Sequence, residues 1–232
     1  MGWRSWNAFG NVINRSIIEL NMKAITAKTW SVPGKAAKVS LADLGYVDFG
    51  IDEGWEACNM ASTVPGGKQH SPAGEPITNT TRFPNLGSLV SEGHAKGLRM
   101  GWYLAGCKCG ESTELDKNYA GDIEELHKFN FDGVKFDNCG SMKNFTKYAE
   151  LMVASKKNYT IESCHWGHCW DQDGDPDASG CPTQDWCPFN IFRTSGDVAK
   201  AAGSWLHNLQ TTIKFRDPTS PLSQPGCWAY PE

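Results

Sequence analysis

The chain has 232 residues, 40% of them hydrophobic, and a formal net charge of −4. That length accommodates one large or two small domains with a sizeable core. The mild acidity gives no electrostatic reason to expect nucleic acid or an anionic membrane surface as a partner, and no apolar run is long enough to span a bilayer.

In chain order, residues 1–7 are short, rich in Trp and suited to a first strand. Helical stretches run over about 21–44 and are interrupted near Pro33-Gly34. Residues 46–51 read as a second strand that ends in Asp52-Glu53-Gly54-Trp55. A polar loop rich in Gly, Pro and Thr follows over 59–82, then a helix over 86–96 and a third strand over 98–104. Residues 114–129 form a helix with an apolar stripe of Leu115, Tyr119, Ile123 and Leu126. Strand four is Val134-Lys135-Phe136-Asp137, closed by Asn138-Cys139-Gly140. A helix over 142–156, a strand over 159–164, a long loop through Pro188, a strand over 191–194 and a helix over 198–209 come next. Pro225-Gly226-Cys227-Trp228 opens a seventh strand.

Strands alternating with helices predict parallel βα units. Polar residues end nearly every strand, and no Gly-rich phosphate turn follows the first. The expected fold class is therefore α/β, a (β/α)8 TIM barrel that is incomplete with about seven strands; a doubly wound sheet is the structural alternative.

Strand four carries the sharpest chemical signal. Successive side chains of a strand face opposite ways, so Lys135 and Asp137 share one face. Opposite charges at the end of an apolar strand are costly unless that end opens into a polar site. Trp6, Asp52, Glu53, Tyr103, Lys135, Asp137, His165, Arg193 and Asp197 would converge on the same barrel mouth. Carboxylates accept from sugar hydroxyls, Lys and Arg donate to them, and Trp covers the apolar side of a sugar ring. Asp137 and Asp197 are a pair for glycoside cleavage, in which one carboxyl attacks and the other transfers the proton. Lys135 would keep Asp137 ionised, and Asp197 would need partial burial to hold its proton. Helix capping is the alternative role for Asp197.

Nine cysteines without a C-x-x-C pair, together with Asn-x-Ser/Thr sequons at Asn14, Asn79, Asn144 and Asn158, point to disulfides and an oxidising route. Cys164 and Cys169 are expected to pair with Cys181 or Cys187. His165, His168 and Cys169 make a weaker case for a metal. The alternating Asp171, Asp173, Asp175 and Asp177 lack the closing Glu of an EF-hand and read as a solvated acidic loop. No metal or other cofactor is expected. No leader precedes Met1-Gly2-Trp3, which is read as an N-terminus lying further upstream.

Six motifs arrive in order: Met1-Gly2-Trp3-Arg4-Ser5-Trp6-Asn7, Ile51-Asp52-Glu53-Gly54-Trp55, Arg82-Phe83-Pro84, Gly97-Leu98 with Gly101-Trp102-Tyr103, Lys135-Phe136-Asp137-Asn138-Cys139, and Arg193-Thr194-Ser195-Gly196-Asp197. Together they resemble the melibiase-type α-galactosidases and α-N-acetylgalactosaminidases of glycoside hydrolase family 27 along the whole chain. The resemblance implies a retaining hydrolase of terminal α-galactosyl residues, with Asp137 as nucleophile and Asp197 as acid/base. It also implies sugar contacts from Trp6, Asp52, Glu53, Tyr103, Lys135, Cys139, His165 and Arg193, and a disulfide between Cys139 and Cys109 or, second, Cys107.

Three stretches depart from the family pattern. Glu53 replaces Asp. His165 follows Cys164 where Glu is usual, at a position that helps sort a 2-hydroxyl from a 2-acetamido sugar. Trp228-Ala229-Tyr230-Pro231-Glu232 stands where the family has W-N-D-P-D. The expectation is a truncated catalytic barrel domain over 1–232, without the family's C-terminal β-sandwich, acting on an α-galactoside in a secreted or lysosome/vacuole-type setting. A homodimer is left open. α-N-acetylgalactosaminidase is the alternative within the class, and a non-catalytic carbohydrate-binding remnant is the reading from a different class.

Overall fold

The computed structural model describes residues 2–59, 68–105, 107, 109, 111, 115–137, 139–164 and 181–232. Its strands are β1 (Gly2–Arg4), β2 (Asp48–Gly50), β3 (Arg99–Tyr103), β4 (Gly133–Asp137), β5 (Thr160–Cys164), β6 (Ile191–Arg193) and β7 (Trp228–Tyr230). They form one seven-stranded sheet in strictly sequential order, and every pairing is parallel. The helices among them are α1 (Trp6–Phe9), α2 (Arg15–Thr26), α3 (Leu86–Ala95), α4 (Asp116–Lys128), α5 (Phe145–Ala154) and α6 (Ala202–Thr211). A doubly wound sheet would reverse its strand order. This one curls instead, since Arg4 of β1 and Tyr230 of β7 both donate to Glu162 of β5. The fold is an incomplete (β/α)8 barrel.

The period-two pattern of the strands separates two environments. Outward residues pack on the helices and the segments that follow them: Phe136 stacks on Tyr148 of α5 at 4.0 Å and Trp102 on Phe131, just after α4, at 5.0 Å between ring centroids. The inner face carries charge among glycines. A Cβ added at Gly50 would come within 2.8 Å of the Arg4 guanidinium carbon, so glycine there lets Arg4 lie across β2.

The first helical region differs from the sequence expectation. The helix is α2, beginning at Arg15 rather than near residue 21, with Ile18, Met22 and Ile25 buried on one face. Asn14 starts it by accepting from the Ile17 N–H at 3.0 Å, and Asn85 and Asn144 cap α3 and α5 in the same way. Beyond α2 the chain folds back as an antiparallel bridge between Trp30 and Val39, around the Pro33-Gly34 turn. The last helix begins at Ala202, so Asp197 precedes it by too much to be its N-cap.

A buried polar cluster joins the loop after β2 to α4 and α5. His70 lies between Glu111 (2.6 Å) and Asp122 (2.9 Å), and Tyr148 donates to Asp122 at 2.6 Å. Burial pushes the His70 imidazole down, but hydrogen bonds and charge from Asp122 and Glu111 outweigh it and hold the group up at about 9. A folded-state value above the unfolded one of ~6.5 gives stability that is complete below that pH and is lost as pH rises through about 9. His70→Leu in the full-length polypeptide should cost about 3–5 kcal/mol near pH 6, because it strands two buried acids. The deficit should shrink towards pH 9, as read by denaturant unfolding across pH.

Candidate active site

Lys135 is 4% exposed inside the barrel, a position it can hold only with a counter-charge. Its Nζ donates to Asp52 Oδ2 at 2.9 Å and lies 3.9 Å from Asp137 Oδ2 and 5.3 Å from the Tyr103 ring centroid. Burial alone would push the Asp52 carboxyl up, but Lys135 and Arg4 more than offset it and hold it below the usual carboxylate range. Lys135 in turn is held above its ordinary value against burial, chiefly by Asp52. Both groups therefore stay charged through the neutral range. Asp52 is also tied down by its own backbone, since its N–H donates to Ser5 Oγ at 3.0 Å and its Oδ1 accepts from the Glu53 N–H at 2.8 Å.

Asp137 ends β4 beside this pair. Its Oδ2 accepts from the Tyr103 hydroxyl at 3.2 Å. Burial, then the charges of Asp137 and Glu53, push the Tyr103 phenol well up, so it stays a protonated donor. The Trp55 indole N–H donates to the Tyr103 carbonyl at 2.8 Å and fixes that strand end.

Asp197 is held from two directions. Arg193 Nη1 donates to Oδ1 and the Trp6 indole to Oδ2, each at 2.8 Å. Its side chain is 49% exposed, so it sits half-buried at the rim rather than enclosed. The reason is its place in the loop between β6 and α6, above the strand ends. Trp6 is a residue of the one-turn helix α1 rather than of the first strand, which is what swings its indole to Asp197. Glu232 buttresses this corner: it accepts from Asn7 Nδ2 at 3.1 Å and from the Val198 N–H at 2.6 Å, and lies 3.5 Å from Arg193 Nη1.

His165 lies outside the described residues, as do His168, Cys169, Asp171, Asp173, Asp175 and Asp177. The residues that sequence reasoning missed as site members are Arg4 and Glu162, while Cys107 was its second choice as the partner of Cys139. The available signal was the single charged residue in each of the short strands β1 and β5.

The disulfides correct two expectations. Cys139 pairs with Cys107, while Cys109 pairs with Cys58. β3 lies between β2 and β4, and the loop that follows it is tied one way to each neighbour. Cys139 thus reaches the site as a disulfide sulfur rather than a thiol, with the Cys107 and Cys139 sulfurs within 4.8 Å of an Asp137 carboxylate oxygen. Cys187 pairs with Cys227, and Cys164 is a buried free thiol. Cys187 and Cys227 precede the adjacent strands β6 and β7, whereas Cys164 ends β5 at the opposite rim. Burial pushes the Cys164 thiol well up despite the nearby charges of Lys135 and Arg193.

A cavity of about 750 Å³ runs through the bore, lined by Arg4, Trp6, Lys135, Glu162, Tyr230 and Glu232 among others. Its wall includes neither Asp137 nor Asp197. The middle of a closed barrel is packed core rather than a pore, so the strand-end carboxylates define the site better than this void does.

The whole span, residues 1–232, matches the family model described as alpha galactosidase A, Melibiase_2. The chain belongs to the melibiase family. An α-galactosidase of Cyamopsis tetragonoloba is 25% identical over 247 residues, an alignment covering 100% of this chain and 50% of that protein. Two solved structures share the fold: a candidate α-galactosidase/melibiase of Bacteroides fragilis (TM-score 0.71, 19% identical, covering 100% of this chain and 46% of that one) and the α-galactosidase of Saccharomyces cerevisiae with raffinose (TM-score 0.64, 18% identical, 86% and 40%). The chain thus spans half or less of the length of these relatives.

Trypsin distinguishes the cysteine pairings, because Lys108 separates Cys107 from Cys109. A non-reduced digest of the full-length polypeptide should contain residues 100–108 linked to residues 136–143, and residues 109–117 linked to residues 39–68. Mass spectrometry finding residues 109–117 attached to residues 136–143 would reverse the assignment.

Proposed function

We propose that the full polypeptide is a retaining glycosidase that releases terminal α-galactosyl residues by double displacement. The observation that carries this reading is the matched support of two carboxyl groups at the strand-end rim. Asp137 is set by the Tyr103 hydroxyl with Lys135 nearby, and Asp197 by the Trp6 indole and Arg193. Each carboxyl thus has an aromatic donor and a cation fixing its direction, as in-line chemistry requires.

In this mechanism an Asp137 oxygen attacks the anomeric carbon while Asp197 gives its proton to the leaving glycosidic oxygen. The products of that step are a covalent glycosyl–Asp137 ester and the free aglycone alcohol. Asp197 then takes a proton from water, whose oxygen displaces Asp137 and restores the original anomeric configuration. The half-exposure of Asp197 suits the entry of that water and the departure of the aglycone. Lys135, Asp52, Glu53 and Arg193 are assigned to the sugar hydroxyls, and the Trp6 ring to the sugar's apolar side as well as to Asp197. The three described disulfides support maturation in an oxidising compartment, on a secretory or vacuolar route. Among the described residues no helix is long and apolar enough to cross a membrane.

Asp137→Gly in the full-length enzyme should lower kcat on an aryl α-galactoside by on the order of 10³-fold or more. Azide should restore turnover and yield a β-galactosyl azide, and proton NMR of the wild-type reaction should show α-galactose forming first. Unchanged turnover would remove Asp137 from the nucleophile role. Faster cleavage of the 2-acetamido analogue would move the specificity to N-acetylgalactosamine. Trp6→Phe keeps a ring but loses the donor to Asp197. It should lower kcat more than it raises KM and displace the basic limb of the pH–rate profile, whereas a purely stacking role would appear in KM alone.

A further inference from the structure

The four Asn-x-Ser/Thr sequences are treated differently by the fold. Asn79 is 4% exposed, and its side-chain oxygen accepts from the backbone of Thr81 and Arg82. Asn14 and Asn144 are half-buried, and each turns its amide towards the start of the helix it caps. In the Asn144 sequence the Thr146 hydroxyl is also taken, accepting from the Trp186 indole at 2.8 Å.

Asn158 stands in the turn from α5 to β5 and is exposed. α5 ends at Ala154, and two residues on Lys156, with a φ of 59°, turns the chain sharply. Lys157 is then pinned inward, its Nζ donating to Asn130 Oδ1 at 2.8 Å and to the Phe131 carbonyl at 2.5 Å. Tyr159 is pinned too, its hydroxyl 3.3 Å from His127 Nδ1. With residues 157 and 159 held against α4 and the segment after it, the alternation of an extended backbone turns Asn158 and Thr160 outward, and both are exposed. The acceptor amide and the hydroxyl of the sequon thus share the solvent side. Asn158 precedes β5 and Thr160 opens it, at the rim opposite Asp137 and Cys164, so a large substituent there leaves the strand-end site open.

We propose that Asn158 carries an N-linked glycan and that Asn79 does not. In the modification Asn158 Nδ2 displaces the diphosphate of a lipid-linked oligosaccharide, forming an N–C1 bond. The amide loses one proton and the lipid diphosphate leaves. Transfer precedes folding, so burial acts afterwards: a chain glycosylated at Asn79 cannot bury that side chain and is lost from the folded pool. The assignment rests on the secretory route proposed above.

The test is to secrete the full-length polypeptide from a eukaryotic host, release glycans with peptide-N-glycosidase in ¹⁸O water, and map the labelled sites by mass spectrometry. Label is expected at residue 158 and not at residue 79. Asn158→Gln should remove one glycan's worth of mass and leave kcat/KM on the aryl galactoside unchanged. Unlabelled residue 158 in secreted, disulfide-bonded protein, or label at residue 79 in the active fraction, would overturn the proposal. Free thiols at Cys58, Cys107, Cys109 and Cys139 in the chain isolated from its own cells would overturn the secretory reading instead.

Discussion

A lysine buried to 4% exposure must be answered by a charge, and Lys135 is answered by Asp52 from two strands away. The pair does not stand alone. Arg4 lies 3.7 Å from Asp52 and donates to Glu162, to which Tyr230 donates in turn. Two cations and two carboxylates therefore share the inner face, joining β1, the end of β2, β4, β5 and β7. Removing one member of such a buried set costs about 3–5 kcal/mol, because the partner left behind has lost both water and its counter-ion. The network also constrains shape. Arg4 reaches its partners only across Gly50, and Lys135 meets Asp52 only if the sheet curls.

The rim chemistry is built on that floor. Asp137 is the next inward-facing residue after Lys135 on β4, so whatever fixes Lys135 also fixes the base of the carboxyl above it. Asp197 comes from a loop and lacks such a foundation. Its orientation is supplied by Trp6 and Arg193, with Glu232 bracing the same corner. Disulfides do comparable work after β3, tying Cys109 to the segment that follows β2 and Cys107 to the segment that follows β4. The buried His70 cluster joins the loop after β2 to α4 by charge, and α5 to α4 by the hydrogen bond from Tyr148 to Asp122.

Some features were legible because they repeat with a local period. The strands 98–104, 134–137 and 159–164 show alternation, and the buried Tyr119, Ile123 and Leu126 of α4 show helical spacing. Others were not. α2 begins at an Asn that reads equally well as a glycosylation sequence, and only the bond from the Ile17 N–H decides its role. Trp6 follows directly on a strand, and nothing local shows that the chain turns into a helix before its indole. The choice between Cys107 and Cys109 concerns two residues one apart, and spacing cannot say which neighbouring strand each will face.

By itself the sequence determined the alternation that makes Lys135 and Asp137 share a face, the parallel βα wiring, and the ordered motifs that identify the family. These depend on dihedral periodicity and residue chemistry, which are local. Only the tertiary structure decided that Asp52 rather than Asp137 takes the direct bond from Lys135, that Asp197 stays half-exposed between Trp6 and Arg193, and that Cys139 meets Cys107. Each of those outcomes joins residues from different strands or loops. It is set by how far the sheet curls and by which side chains must be neutralised inside it, and neither quantity is written in any one stretch of the chain.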